Sequence, residues 1–72
     1  MGPTLTQKEF VNLKSRLTRA KNSNDPQRVL KEAEHALSIF EEKGYPDNWH
    51  LWQAAKEQAQ SAIGRGYKTY QP

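Results

Sequence analysis

The sequence predicts an all-α protein that folds as a compact antiparallel three-helix bundle with a flexible C-terminal tail. Three segments carry apolar residues at helical spacing, each segment is preceded by a helix-start signal, and only short polar turns separate them. Short connections make consecutive helices antiparallel neighbours. With 72 residues, of which 35% are hydrophobic, the chain is long enough for one small core. The bundle is expected to span residues 6–64.

The first helix is expected over residues 7–21. Thr6 and Glu9 have the spacing of a capping box, in which the hydroxyl and the carboxylate each accept a backbone N–H from the other residue. Leu5 precedes this cap and is placed to pack against the start of the helix. Residues 1–5 are otherwise predicted to form a disordered lead. The apolar face of the helix consists of Phe10, Leu13, Leu17 and Ala20.

The second helix is predicted to begin after Asp25, with Pro26 in its first position, where a missing N–H has no cost. Gly44 is predicted to end it in the left-handed conformation that commonly closes helices. Tyr45 is then expected to fold back onto Phe40. The predicted buried face consists of Val29, Leu30, Ala33, Ala36, Leu37 and Phe40.

The third helix is predicted to start at an Asp47 cap, because Pro46 prevents the second helix from continuing. Gly64 and Gly66 are expected to end it. Residues 65–72 then form a flexible tail in which basic and aromatic side chains alternate. The predicted core face consists of Trp49, Trp52, Ala55, Ala59, Ala62 and Ile63, with Leu51 at its margin.

The composition argues against several classes of function. There are no cysteines for disulfides or thiolate metal sites, which suits a reducing cytoplasm, and no apolar run reaches the length of about 20 residues needed to span a membrane. His35 and His50 lie on different predicted helices, without a second ligand at metal-binding spacing or a nucleophile beside either. We therefore expect a cytoplasmic protein that is not an enzyme, binds no cofactor, metal or small-molecule substrate, and does not enter a membrane.

Charge is distributed unevenly along the chain. Residues 1–31 contain seven basic and two acidic side chains, a net +5, whereas residues 32–63 contain two basic and six acidic ones, a net −4. Arg65 and Lys68 bring the total to +3. Two interpretations remain open: the basic part faces the chain's own acidic part, or it binds a nucleic acid.

Subtracting the predicted core leaves two candidate binding surfaces. The leading hypothesis is a protein-interaction module that binds a larger protein or itself through exposed side chains on helices 1 and 2, in which Ile39 serves as an apolar anchor. The residues of this surface are Val11, Arg28, Glu32, His35 and Ile39, and Arg28 is expected to pair with Glu32 across one helical turn. The alternative is a nucleic-acid-binding domain that uses Lys8, Arg16, Arg19, Arg65 and Lys68.

The connection between helices 2 and 3 supports two further expectations. As a helix-turn-helix, it would present Asn48, His50, Gln53 and Glu57 to DNA bases. The segment Gly44-Tyr45-Pro46-Asp47-Asn48-Trp49-His50-Leu51-Trp52-Gln53 also resembles a stretch in small, uncharacterised helical proteins of bacteriophages that infect actinobacteria. That resemblance implies no catalytic activity. It implies a small accessory protein that acts by binding a larger one.

Overall fold

The computed structural model describes residues 4–70, which form three α-helices: α1 (Gln7–Ser23), α2 (Pro26–Lys43) and α3 (His50–Gly64). No strand occurs within these residues, and the predicted all-α, three-helix class is confirmed. Residues 1–3 of the predicted lead and residues 71–72 of the predicted tail lie outside the described range. Leu5, which was also assigned to the lead, packs against the core.

The predicted starts of α1 and α2 are confirmed. The Thr6 hydroxyl accepts the Glu9 backbone N–H at 3.1 Å, and the Glu9 carboxylate accepts the Thr6 N–H at 3.3 Å, which completes the capping box. The Asp25 carboxylate accepts the Gln27 N–H at 3.0 Å at the start of α2. α1 extends two residues past the predicted end and closes at Asn24, whose φ of 60° is left-handed.

Gly44 ends α2, as predicted, but in a different conformation. Its φ of 116° is positive, while its ψ of 145° lies outside the left-handed helical region, in a part of conformational space that is essentially restricted to glycine. The Gly44 N–H donates to the Phe40 carbonyl at 2.7 Å. The Tyr45 ring folds back to 6.2 Å from the Phe40 ring, centroid to centroid, which confirms the predicted contact.

The predicted start of α3 is wrong. The helix begins at His50, with Trp49 as its cap residue, and no side chain caps it. The reason is a tight turn before the helix, in which the Trp49 N–H donates to the Pro46 carbonyl at 3.1 Å. Backbone bonds from Leu51 to Asn48 and from Trp52 to Trp49 continue this turn, so a carboxylate at Asp47 is not required as a cap.

α3 ends in a Schellman motif, which explains the glycine at position 66. The Gly66 N–H donates to the Ile63 carbonyl at 3.0 Å, and the Tyr67 N–H donates to the Ala62 carbonyl at 2.9 Å. Gly66 has a φ of 78° and supplies the left-handed residue of the motif. Gly64 is the last residue of the helix itself.

The core contains large side chains at one end of the bundle and mostly small ones along α2 and α3. Phe10, Phe40 and Trp52, one from each helix, meet edge to face. The backbones of α2 and α3 approach each other most closely, because the residues between them are largely alanines, whereas α1 packs mainly on α2. The buried core residues are Leu13, Leu17, Ala20, Val29, Ala33, Ala36, Phe40, Trp52, Ala55, Ala59, Ala62 and Tyr70.

Contacts between helices give the topology. The start of α1 lies beside the end of α2, where Lys43 pairs with Glu9, and the Phe10–Trp52 contact places the start of α3 at the same end. Consecutive helices are therefore antiparallel, and α1 and α3 run parallel. The molecule measures 44 × 18 × 16 Å.

Tyr70, which belongs to the predicted flexible tail, packs into the bundle. Its side chain is buried in the core, its hydroxyl donates to the Gln58 Oε1 of α3 at 2.6 Å, and its N–H donates to the Asn24 carbonyl at 2.9 Å. Tyr70 thus joins the end of α1 to α3. Burial also raises the pKa of its phenol.

We expect Tyr70→Ala to lower the free energy of unfolding by about 3 kcal/mol, since it removes a buried aromatic ring. Chemical denaturation monitored by circular dichroism measures the change. Tyr67→Ala is the matched control, because Tyr67 is 40% exposed, and it should change stability by no more than about 0.5 kcal/mol. Equal stability of the two variants would show that Tyr70 does not contribute to the core.

We expect Gly44→Val to destabilise the fold by more than about 1 kcal/mol, because a β-branched residue is strained at a φ of 116°. The control is Gly64→Ala: a Cβ there has open space and the residue is helical. This change should be neutral or stabilising, by up to about 1 kcal/mol. An unchanged melting temperature for Gly44→Val would contradict the assigned backbone conformation.

Candidate functional site

The surface predicted on α2 is not the exposed stripe that the sequence indicated. Ile39 is partly buried and packs against the core, so its assignment as a residue facing away from the core is wrong. Glu32 pairs with Arg16 of α1 and not with Arg28. The physical reason is that α2 lies between α1 and α3, so its buried arc is wider than that of a helix with one neighbour. Arg28 and His35 are exposed.

Val11 is exposed, as the sequence indicated, with 50% of its surface accessible. It lies in a shallow depression of about 470 Å³ on the outer side of α1. All residues that line this depression belong to α1. None of them is one of the binding residues predicted on α2, which are Arg28, Glu32, His35 and Ile39. The lining residues are Lys8, Glu9, Val11, Asn12, Ser15, Arg16 and Arg19.

Two ion pairs join α1 to α2 and use charges from both halves of the sequence. The Arg16 Nε lies 2.9 Å from the Glu32 Oε2, and the Arg16 Nη2 donates to the Glu32 Oε1 at 3.2 Å. Lys43 pairs with Glu9 at the end of the molecule where α1 begins. The first of these pairs agrees with the interpretation that the basic part of the chain faces its own acidic part.

The five residues predicted to bind nucleic acid do not form one surface. Arg16 is already paired. Lys8 lies in the first turn of α1, at one end of the molecule, whereas Arg19 lies in its last two turns, near the opposite end. Arg65 and Lys68 follow the end of α3 and share that opposite end.

A concave surface lies between α2 and α3. It is a groove of about 520 Å³, and its lining residues recur at helical spacing on both helices. The wall on α3 extends for about 10 Å, from Trp49 to Lys56, at 1.5 Å per residue. Tyr45 lies at the end of the groove nearest the corner between the helices. The lining residues are Leu37, Glu41, Tyr45, Trp49, Gln53 and Lys56.

Aromatic side chains form a continuous series at this end of the groove. The Tyr45 and Trp49 rings lie 5.4 Å apart at an interplanar angle of 67°, and the His50 ring stacks on Trp49 at 4.0 Å and 28°. Tyr45 is 54% exposed and Trp49 is partly buried. The sequence assigned Trp49 to the core and Tyr45 to a helix cap, so their common exposed surface was missed.

The groove has an apolar floor and a polar rim. Leu37 is partly buried and packs against the core. Glu41 on α2 and Lys56 on α3 line opposite sides and carry opposite charges. An apolar centre with aromatic residues and a polar edge is the usual arrangement of a protein-binding surface.

A further depression of about 560 Å³ lies where residues 4–7 meet the corner at residues 43–48. Its polar lining side chains include Thr6 and Lys43, which already have partners in the capping box and in the ion pair with Glu9. The depression is therefore better explained by the local packing of the N-terminal segment than as a binding site.

The helix-turn-helix interpretation does not match the packing. α2 and α3 lie antiparallel along their lengths, whereas the helices of that motif cross at about 90–120°. Gln53, one of the predicted base-contacting residues, is partly buried and lines the groove. It therefore does not lie on an outward face that could enter a DNA groove.

Within residues 4–70, no three histidine, cysteine, aspartate or glutamate side chains form a group that could hold a metal ion. None of the helices in this range is long and apolar enough to cross a membrane. In comparisons with known proteins, no family model matches the chain, and no curated protein or solved structure matches it significantly.

The Lys43–Glu9 pair generates a pH-dependence. Hydrogen bonds to the Glu9 carboxylate from Lys43, and next from Thr6, lower its pKa below the ordinary value of 4.5. The native state therefore holds this proton less tightly than the unfolded state does. The resulting stabilisation is present above about pH 4.5 and is lost as the pH falls through the lower, folded-state pKa.

We expect Glu9→Gln to reduce the loss of stability between about pH 6 and pH 3, which urea denaturation at the two pH values measures. Glu34→Gln is the control, since Glu34 has no ion pair within the described residues, and it should retain the wild-type difference. A wild-type difference that persists in Glu9→Gln would exclude Glu9 as its source.

Proposed function

We propose that this chain is a small, non-enzymatic protein-interaction module that acts in the cytoplasm as an accessory to a larger protein. In this proposal, a helix of the larger protein binds in the α2–α3 groove. The observation that carries the proposal is the aromatic pair at the end of the groove, in which Tyr45 is exposed and Trp49 is partly buried. The bacteriophage resemblance of residues 44–53 supports an accessory role.

The aromatic pair has the properties of a binding anchor. Tyrosine and tryptophan are enriched among the few residues that dominate binding energy, because each buries a large area with little loss of side-chain entropy. Tyr45 has more than half of its surface still available for burial, and its ring is already held between Phe40 and Trp49. A partner would therefore meet a pre-organised surface.

The shape of the groove favours a helix as the bound element. Its walls are two antiparallel helices, so it is elongated in their common direction. A helix laid along it could place apolar side chains at spacings of three and four residues over Leu37 and Trp49. Glu41 and Lys56 on opposite walls would then select the orientation of charged residues at the edges of that helix.

The test is a purification of tagged protein from the cells that make it, followed by binding measurements with the purified partner. Tyr45→Lys should lose the partner that the wild type retains, with affinity reduced by roughly 30-fold or more, the range of a binding hot spot. Tyr67→Lys is the matched control, because it alters another exposed tyrosine at the opposite end, and it should retain the partner.

Tryptophan fluorescence gives a direct readout of the site. Trp52 is fully buried, so a bound partner should shield Trp49 from a soluble quencher with little effect on Trp52. If Tyr45→Lys keeps every partner and folds normally, the groove is not the binding surface. Recovery of the chain bound only to itself would overturn the proposal that the occupant belongs to a larger protein.

A further inference from the structure

The fold concentrates positive charge at one end of the molecule, where α1 ends, α2 begins and the chain leaves α3. Six basic side chains lie there, and all six are exposed. None of them forms an ion pair within residues 4–70. We call this surface the basic end; it consists of Arg19, Lys21, Arg28, Lys31, Arg65 and Lys68.

The contacts of the backbone show that these residues share one end. The Tyr70 N–H donates to the carbonyl of Asn24, which caps α1. A cleft of about 350 Å³ is lined by residues 25–27 at the start of α2, by residue 63 in the last turn of α3 and by residues 66–68 after that helix. Arg19 and Lys31, the most distant members, lie within about 8 Å of the helix ends along the axis.

The charge is polarised along the molecule. The basic end has six basic residues and one acidic residue, Asp25, a net +5, and the Asp25 carboxylate is used to cap α2. The opposite end has Lys8 and Lys43 against Glu9, Glu41, Glu42 and Asp47, a net −2. The middle has three basic and three acidic residues, so the sum is the +3 of the whole chain.

An exposed aromatic ring lies within the basic end. Tyr67 is 40% exposed, stands between Arg65 and Lys68 in the sequence, and lines the cleft together with Lys68. Its backbone is fixed by the Schellman hydrogen bond to Ala62. Proteins that bind single-stranded nucleic acids combine positive charge for the phosphates with aromatic rings on which bases stack.

We propose that the basic end binds single-stranded nucleic acid, with a base stacked on Tyr67 and phosphates contacted by the surrounding arginine and lysine side chains. An acidic polypeptide would also satisfy the charge, but the exposed ring favours a nucleic acid, because every base has a flat face that can stack on it. The two shorter dimensions of the molecule are only about 18 and 16 Å. It can therefore contact a short stretch of a strand, and its affinity should depend strongly on salt.

This proposal does not depend on the α2–α3 groove. The aromatic pair that anchors the groove follows the end of α2, whereas Tyr67 follows the end of α3, and these helix ends lie at opposite ends of the molecule. The Tyr45→Lys variant, which should lose the protein partner, should therefore still bind nucleic acid as the wild type does. The two proposals can fail separately.

The test is fluorescence anisotropy of a labelled 12-nucleotide oligothymidylate titrated with the full chain at several salt concentrations. The double variant Arg65→Gln/Lys68→Gln should bind more weakly, and its log–log salt slope should be smaller by about 1.4, or about 0.7 per lost phosphate contact. Tyr67→Ala should weaken binding roughly five-fold or more with an unchanged salt slope, because stacking is not electrostatic. Circular dichroism checks that each variant is folded.

Lys8→Gln is the matched control, since Lys8 is an exposed lysine at the opposite end, and it should bind as the wild type does. Equal weakening by Lys8→Gln would show that binding follows net charge and not the basic end. Three outcomes would each overturn the proposal. They are no binding at low salt, binding of poly-glutamate or of duplex DNA as tight as that of the single strand, and unchanged binding by the Tyr67→Ala variant.

Discussion

The edge-to-face packing of Trp52 with Phe10 and Phe40 is the interaction on which the rest of the structure depends. The Trp52 centroid lies 5.7 Å from that of Phe10 at 62°, and 5.0 Å from that of Phe40 at 85°. Each ring comes from a different helix, so one cluster fixes all three. The Trp52 Nε1–H has no hydrogen-bond acceptor within the described residues, a cost of about 1–3 kcal/mol that the packing of this large buried ring must exceed.

The remainder of the core follows from this cluster. Towards the other end of the bundle, the buried residues of α2 and α3 are largely alanines. Tyr70 adds a buried aromatic ring to the core from beyond α3, and its hydrogen bonds to Gln58 and Asn24 hold it there. Aromatic residues therefore link α1 to α3 at both ends of the bundle. Because the aromatic core is complete without Tyr45, that residue remains available at the surface.

The sequence predicted those features that depend on neighbouring residues in the chain. The caps at Thr6 and Asp25 and the contact between Tyr45 and Phe40 are local, and each is present. The errors arose where distant contacts decide the outcome. Ile39 is covered because α2 has two neighbours, and Tyr70 is buried because the chain after α3 folds back onto the core.

The candidate surfaces show the same division. The groove could not be predicted, because Tyr45 and Trp49 each have an adequate local explanation, and only the corner geometry places their rings together at the surface. The uneven distribution of charge was visible in the sequence, but the sequence did not show where the fold places these charges. Antiparallel packing of α1 and α2 converts charge blocks along the chain into opposite ends of an elongated molecule.

The two surfaces differ in the physical origin of their affinity, and this difference allows a complex to be assigned to one of them. Burial of apolar and aromatic surface in the groove is little affected by moderate salt, since the two rim charges contribute mainly to orientation. Contacts at the basic end are screened, and they weaken as counterions compete for the phosphates. A complex that survives at high ionic strength is thus held by the groove, whereas one that dissociates in proportion to salt is held by the basic end.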